Sequence, residues 1–197
     1  MTGTSPLEAL HLYEGRDVIK TMRPASFSHV SDSKRIRVSW EGSRIRGRAR
    51  RATWDGAINI EGARIVNAKV FAFDSPADGI TDSAPDRVRF KSSTTGDMDG
   101  IDLFLDQGKV GHLKFESMQG SCDVDLSGLN SDPLTFDFGG LGLKVTVQRY
   151  PEKLEEETLS LEYTVDPPPD KTTPYLLKVI QEDGHMAWAS PIYVRKS

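Results

Sequence analysis

This sequence predicts an all-β chain folded as an antiparallel β-sandwich. Three observations carry that prediction. From Arg35 onward, apolar residues recur at every second position, the period of a strand with one face turned inward. Clusters of Gly, Asp, Ser and Pro interrupt these runs roughly every 8–12 residues, the rhythm of a sandwich. No segment is long enough to supply the crossover helices that a parallel sheet requires.

Taken in order, residues 1–30 differ from the rest and are expected to be an N-terminal extension or linker. Pro6 to Tyr13 is expected as a short helix. Asp17 to Met22 is expected as another turn or two, ending before Pro24. The sandwich is expected over residues 31–197. Ile36, Val38 and Trp40 alternate with Arg35, Arg37 and Ser39 in a half-buried strand. After Glu41-Gly42-Ser43, a second strand places Ile45, Gly47 and Ala49 opposite Arg44, Arg46, Arg48 and Arg50. Trp54-Asp55-Gly56 punctuates. Ile58 and Ile60 resume, Ile65 to Phe73 is β-rich, and Pro76 to Pro85 reads as a loop.

Arg87 to Ser92 alternates again. Ile101, Leu103 and Leu105 share one parity. Val110, Leu113 and Phe115 lie in the next strand, and Cys122, Val124 and Leu126 in the one after. Thr135 to Phe138 is short, and Gly139 to Leu143 leads into Lys144 to Arg149. Leu159, Leu161, Tyr163 and Val165 form one face of a further strand, and Pro167-Pro168-Pro169 breaks it. The chain ends in a hairpin across Asp183-Gly184, where Gly suits the positive φ of a tight primed turn. Trp188 and Tyr193 are expected as core residues of that hairpin's sheet. About a dozen strands result, and immunoglobulin-like and jelly-roll-like connectivities both stay open. No fixed-period repeat points to a propeller or solenoid.

Composition narrows the function. Of 197 residues, 25 are Lys or Arg and 29 Asp or Glu, a net charge of −4. That balance argues against nucleic acid and acidic membranes as partners. No run approaches the roughly 18 apolar residues of a membrane span. Residues 1–23 lack the apolar centre of a secretory signal, which points to the cytoplasm unless the sequence is cut from a longer protein. Cys122 is the single cysteine, so no internal disulfide forms, and it reads as a small buried residue rather than a nucleophile.

The chemistry-bearing residues are few. His11, His29, His112 and His185 show no recognised ligand spacing. No Gly-x-Ser-x-Gly elbow occurs, and Gly139-Gly140-Leu141-Gly142 lacks the Gly-Lys-Ser/Thr ending of a phosphate loop. The run Gly96-Asp97-Met98-Asp99-Gly100-Ile101-Asp102 is the most ligand-like. Asp and Gly are what a tight turn wants, and that is the first reading. The second is a hard cation held by Asp97, Asp99 and Asp102, although the spacing fails the EF-hand template. Arg44, Arg46, Arg48 and Arg50 would project from one face of a strand about 7 Å apart. A solvated face balanced by acids on neighbouring strands is the first reading, a docking surface for an acidic partner the second, and anion binding the third. Trp40, Trp54 and Trp188 offer the stacking surface that a carbohydrate-binding module would need.

A resemblance attaches to two stretches. Tyr175 to Val194, with Gln181, Asp183-Gly184 and Ala187-Trp188-Ala189-Ser190-Pro191-Ile192, resembles the final hairpin of a bacterial family of unknown function. Members carry an N-terminal PHP-type (polymerase and histidinol phosphatase-like) metal-dependent hydrolase domain. Ala189 stands where that family usually has Ser. Ile36 to Arg48 and Trp54-Asp55-Gly56 resemble the β region after the catalytic domain, so the likeness spans roughly Arg35 to Val194. PHP catalysis uses His and Asp clusters that are not found here, so no catalytic residue, metal ligand or cofactor carries over. The resemblance implies a non-catalytic accessory β domain, partnered with a hydrolase domain in cis or in trans. A carbohydrate- or anion-binding module is the alternative.

Overall fold

A computed structural model describes residues 1–45, 47 and 50–195. Its strands in chain order are β1 (Leu7–Glu14), β2 (Asp17–Met22), β3 (Arg35–Ser43), β4 (Ala52–Thr53), β5 (Gly56–Glu61), β6 (Ile65–Phe71), β7 (Gly79–Ala84), β8 (Arg87–Lys91) and β9 (Ser93–Thr94). They continue with β10 (Met98–Leu105), β11 (His112–Ser117), β12 (Gly120–Asp125), β13 (Leu134–Gly139), β14 (Leu141–Tyr150), β15 (Thr172–Gln181), β16 (Met186–Trp188) and β17 (Ile192–Arg195). Two 3₁₀ segments, Ala25–Asp32 and Leu126–Gly128, are the only helical turns among the described residues. Among the described residues, all strand pairs are antiparallel, and no helix is long and apolar enough to cross a membrane.

The chain divides into two compact units. One is Ser28–Glu152; the other joins Met1–Phe27 to Lys153–Ser197. This differs from the division expected at residue 30. The physical reason is strand pairing: β1 lies between β2 and β15, so the two ends of the chain build one sheet.

The larger unit is the sandwich. One sheet runs β13-β14-β3-β10-β6 and the other β12-β11-β5-β8-β7. Their inward parities fill a common core: Ile36, Val38, Trp40, Ile101, Leu103, Val145 and Val147 from the first, and Ile58, Ile60, Val88, Phe90, Leu113, Phe115 and Val124 from the second. Trp40 stacks on Phe90 at 4.4 Å between ring centres, and Phe115 closes on both at 5.6 and 5.8 Å. Burial of these side chains contributes roughly 1.5–3 kcal/mol each.

Strand β3 is buried on both faces rather than one. Arg35 and Arg37, expected toward water, are 4% and 3% exposed. Asp102 of neighbouring β10 explains this. Its Oδ2 accepts from Arg35 Nη2 at 2.6 Å, and its two oxygens accept from Arg37 Nε and Nη2 at 2.7 and 2.9 Å. The Arg37 guanidinium also lies between the rings of Phe71 (3.6 Å) and Tyr150 (4.0 Å).

The smaller unit has one sheet in the order β16-β15-β1-β2, with β17 also on β15. Leu7, Leu10, Leu159 and Val179 are its buried core. Residues expected as helix are therefore strands β1 and β2. A β-bulge between Leu7 and Ala9 shifts the register. It puts buried residues at 7, 9, 10 and 12, a pattern that imitates helical spacing. Gly15 (φ 61°) and Arg16 form a two-residue hairpin loop with Gly at the first central position, the type II′ requirement.

Three other expectations change. Gly79–Ala84, expected as loop, is edge strand β7, turned into β8 across Pro85-Asp86. Residues 158–165, expected as a strand, make one isolated bridge, Thr2 to Thr158. The closing hairpin uses a three-residue connection instead of a primed turn. Gly184 alone takes positive φ (91°), Gly184 N–H bonds to Gln181 O at 3.0 Å, and Gln181 N–H bonds to His185 O at 2.8 Å. That is a type I turn followed by a glycine bulge, which asks nothing unusual of Asp183.

Candidate functional site

The register of β10 against β6 brings the ligand-like residues together. Gly100 pairs with Phe71. The residues just before Gly100 therefore meet those just after Phe71. Asp97 and Asp99 come from the first stretch and Asp74 from the second. One carboxylate oxygen from each of Asp74, Asp97 and Asp99 lies within 4.8 Å of the others. They grade from exposed Asp74 through half-buried Asp97 to Asp99, which retains 1% of its exposure.

Each carboxylate is set by its surroundings. Asp97 Oδ1 accepts from the Thr95 backbone N–H and from Thr95 Oγ1, two residues back, at the entry to β10. Asp99 takes the core parity of β10, beside Ile101 and Leu103. Its Oδ2 accepts a 2.5 Å hydrogen bond from Ser92 Oγ, which in turn accepts from Trp40 Nε1 at 2.7 Å. Asp99 Oδ1 is buried with no hydrogen-bond partner. Burial, followed by the charges of Asp97, Asp74 and Asp78, pushes the Asp99 carboxyl up to about 7, against the pull of the Ser92 bond. Asp78 closes the same corner, its Oδ2 accepting from Ser93 N–H at 3.1 Å.

Asp102 does not join this group. Three residues along a strand put it on the opposite face from Asp99, in the arginine pair described above. Burial pushes its carboxyl up, but the hydrogen bonds and charges of Arg37 and Arg35 outweigh that and hold it below the usual carboxylate range. Asp74, absent from the sequence reading, takes its place. The signal that marks it is Asp74-Ser75-Pro76, a turn-forming acidic stretch that ends a strand.

The arginine stripe is not a strand at its described positions. Arg44 and Arg50 lie in the connection between β3 and β4, and Arg46 and Arg48 lie outside the described residues. Arg44 Nε donates to Gln119 Oε1 at 2.8 Å, and Arg50 N–H turns back to Gly47 O at 3.2 Å.

The remaining titratable groups are spread through the fold. His11 bonds to Thr21 Oγ1 at 2.9 Å, His112 faces Asp123 at 3.7 Å, and His185 faces Asp183 at 3.1 Å. Burial, then the charge of Asp123, pushes the Cys122 thiol up to about 11, which suppresses the thiolate. Trp40 and Trp54 are 1% and 0% exposed, which removes both as a stacking platform. Trp54 Nε1 bonds to Thr94 Oγ1 at 2.8 Å.

Trp188 behaves differently. It is 55% exposed, against the expectation of a core residue. Met186 on the same strand, and Ile192 and Tyr193 on β17, are 57%, 70% and 68% exposed. Its ring rests on Tyr13 at 5.5 Å with Lys178 Nζ 5.0 Å away. The cause is topology: β16 and β17 are the last strands on their side of the sheet, so nothing in that sheet lies beyond them. Comparison of the chain with protein-family models, with curated proteins and with solved structures finds no match.

Proposed function

We propose that this chain is a non-catalytic accessory β module that attaches to a partner, and that the partner is a metal-dependent hydrolase domain, in cis or in trans. One observation carries the reading: the apolar edge formed by Met186, Trp188, Ile192 and Tyr193. Edge strands expose unpaired backbone groups and are normally guarded by charge. The opposite edge of the same sheet, β2, is guarded in that way, with Asp17 and Lys20. The β16–β17 edge instead carries four large apolar side chains, the composition of an interface. It coincides with the segment whose sequence resembles the closing phrase of the hydrolase family.

The buried polar groups support the non-catalytic part. Arg35, Arg37, Asp102 and Arg149 are engaged in bonds that hold strands and turns together. A carbohydrate-stacking reading now rests on Trp188 alone. The single buried cysteine suits a reducing compartment, and we place the module in the cytoplasm.

The test is calorimetric titration of the chain with a PHP-type hydrolase domain from a protein bearing the same closing phrase. A complex in the micromolar range, about −8 kcal/mol, is expected. The double variant Trp188→Ser, Tyr193→Ser should abolish it while leaving the circular dichroism spectrum intact. No heat of binding with any such domain would sink the idea.

A further inference from the structure

We propose that Asp74, Asp97 and Asp99 form a calcium site that fastens the β6–β7 connection to the start of β10. Two independent features point there. The first is the convergence of three carboxylates from two separate chain segments within 4.8 Å. Two ligands 2.3–2.6 Å from one calcium ion stand no more than about 5 Å apart, so every pair in the group lies within the span of one ion. The second is the buried Asp99 Oδ1. It is 99% shielded with its residue, and no protein donor satisfies it. A carboxylate oxygen in that position is costly unless something positive meets it.

The donor set selects the ion. All three ligands are carboxylate oxygens, and no imidazole or thiolate belongs to the group. Oxygen-only sites suit hard cations rather than zinc or copper. Magnesium holds its ligands at about 2.0–2.1 Å and demands regular octahedral geometry. The graded exposure of the three residues suits calcium, which accepts irregular protein ligands and completes its shell with water. The Trp40–Ser92 hydrogen-bond relay holds Asp99 Oδ2 in place, so the carboxylate is oriented before any ion arrives. Asp74 sits on a connection that otherwise leaves the sheet at Phe71. Ligation would therefore brace it against β10.

The site lies in the sandwich unit, and the proposed docking edge lies in the other. Its test needs no partner, so the two readings fail separately. The full chain, stripped with EDTA, is titrated with calcium chloride and followed by calorimetry and thermal melting. Calcium at 100 times its dissociation constant is expected to raise Tm by about 5 °C or more. Asp74→Asn, on an exposed side chain that folding does not need, is expected to weaken calcium binding by about tenfold or more. Asp99→Asn is expected to raise Tm in EDTA, since it removes a buried charge facing two others, and to erase the calcium response. The inference is overturned if calcium to about 10 mM, beyond the weakest class of protein modules, gives neither heat nor a Tm shift. It is equally overturned if both variants respond like the parent, or if magnesium stabilises as strongly as calcium.

Discussion

Replacing Arg149 with methionine is expected to destabilise the sandwich unit by about 3–5 kcal/mol. Arg149 occupies the core parity of β14, next after Val145 and Val147, and is fully buried. Its guanidinium is spent on three backbone carbonyls. Nε donates to Leu129 O at 2.9 Å, Nη1 to Ser33 O at 2.5 Å and Nη2 to Leu126 O at 2.6 Å. Those carbonyls belong to the short 3₁₀ turn Leu126–Gly128 with its following residue, and to the entry of β3. One side chain thus ties two connections to the end of a strand. Burial depresses the Arg149 pKa, and the charge of Asp32 works the other way.

Methionine keeps the length of the stem but donates nothing, so each of the three buried carbonyls loses its guanidinium donor, and Leu126 O keeps only the Leu129 N–H. Lysine should rescue little, because one ammonium cannot reproduce the planar fork that reaches three acceptors. Guanidinium chloride unfolding checks this. In a Trp188→Phe background only Trp40 and Trp54 report, and both lie in the sandwich core. A loss below about 1 kcal/mol would show that water replaces the guanidinium at little cost.

The sandwich was legible because its strands keep strict parity. Ile36-Val38-Trp40 and Ile101-Leu103-Leu105 each show the face they bury. Legibility failed where parity breaks or depends on partners. The bulge in β1 adds one residue, and Leu7, Ala9, Leu10 and Leu12 then imitate a helix. Gly15-Arg16 was the local signal for a hairpin there. Trp188 looked like core because a large aromatic in a strand usually is; that its strand forms an edge is a property of the assembled sheet. The candidate site divides the same way. Asp97 and Asp99 were visible as a short acidic run. Asp74 lies 23 positions before Asp97, and only the pairing of Phe71 with Gly100 brings it near. Asp102 failed because spacing along a strand fixes the face: an odd offset from Asp99 reverses it.

The same reversal makes Asp102 the second residue whose loss should be severe. Asp102→Asn conserves shape and removes one charge. Both Arg35 and Arg37 then face a neutral amide from within 6% side-chain exposure. Breaking a buried ion pair from one side costs about 3–5 kcal/mol, because the charge left behind is desolvated. Replacing all three by apolar residues of similar volume (Arg35→Met, Arg37→Leu, Asp102→Leu) is expected to cost far less than Asp102→Asn, since no buried charge remains.

The pH dependence gives an independent check. Asp102 is held below its ordinary value of 3.8 in the folded chain. The unfolded chain therefore takes up its proton first as pH falls. The stability due to Asp102 is fully present above about pH 4 and is lost as pH drops through the folded-state value. Denaturation midpoints measured between pH 7 and pH 2 should show this acid limb in the parent and a shallower one in Asp102→Asn. An identical limb in both would mean that the pair contributes nothing net, and that Phe71 and Tyr150 alone are enough to hold the Arg37 guanidinium in the sheet.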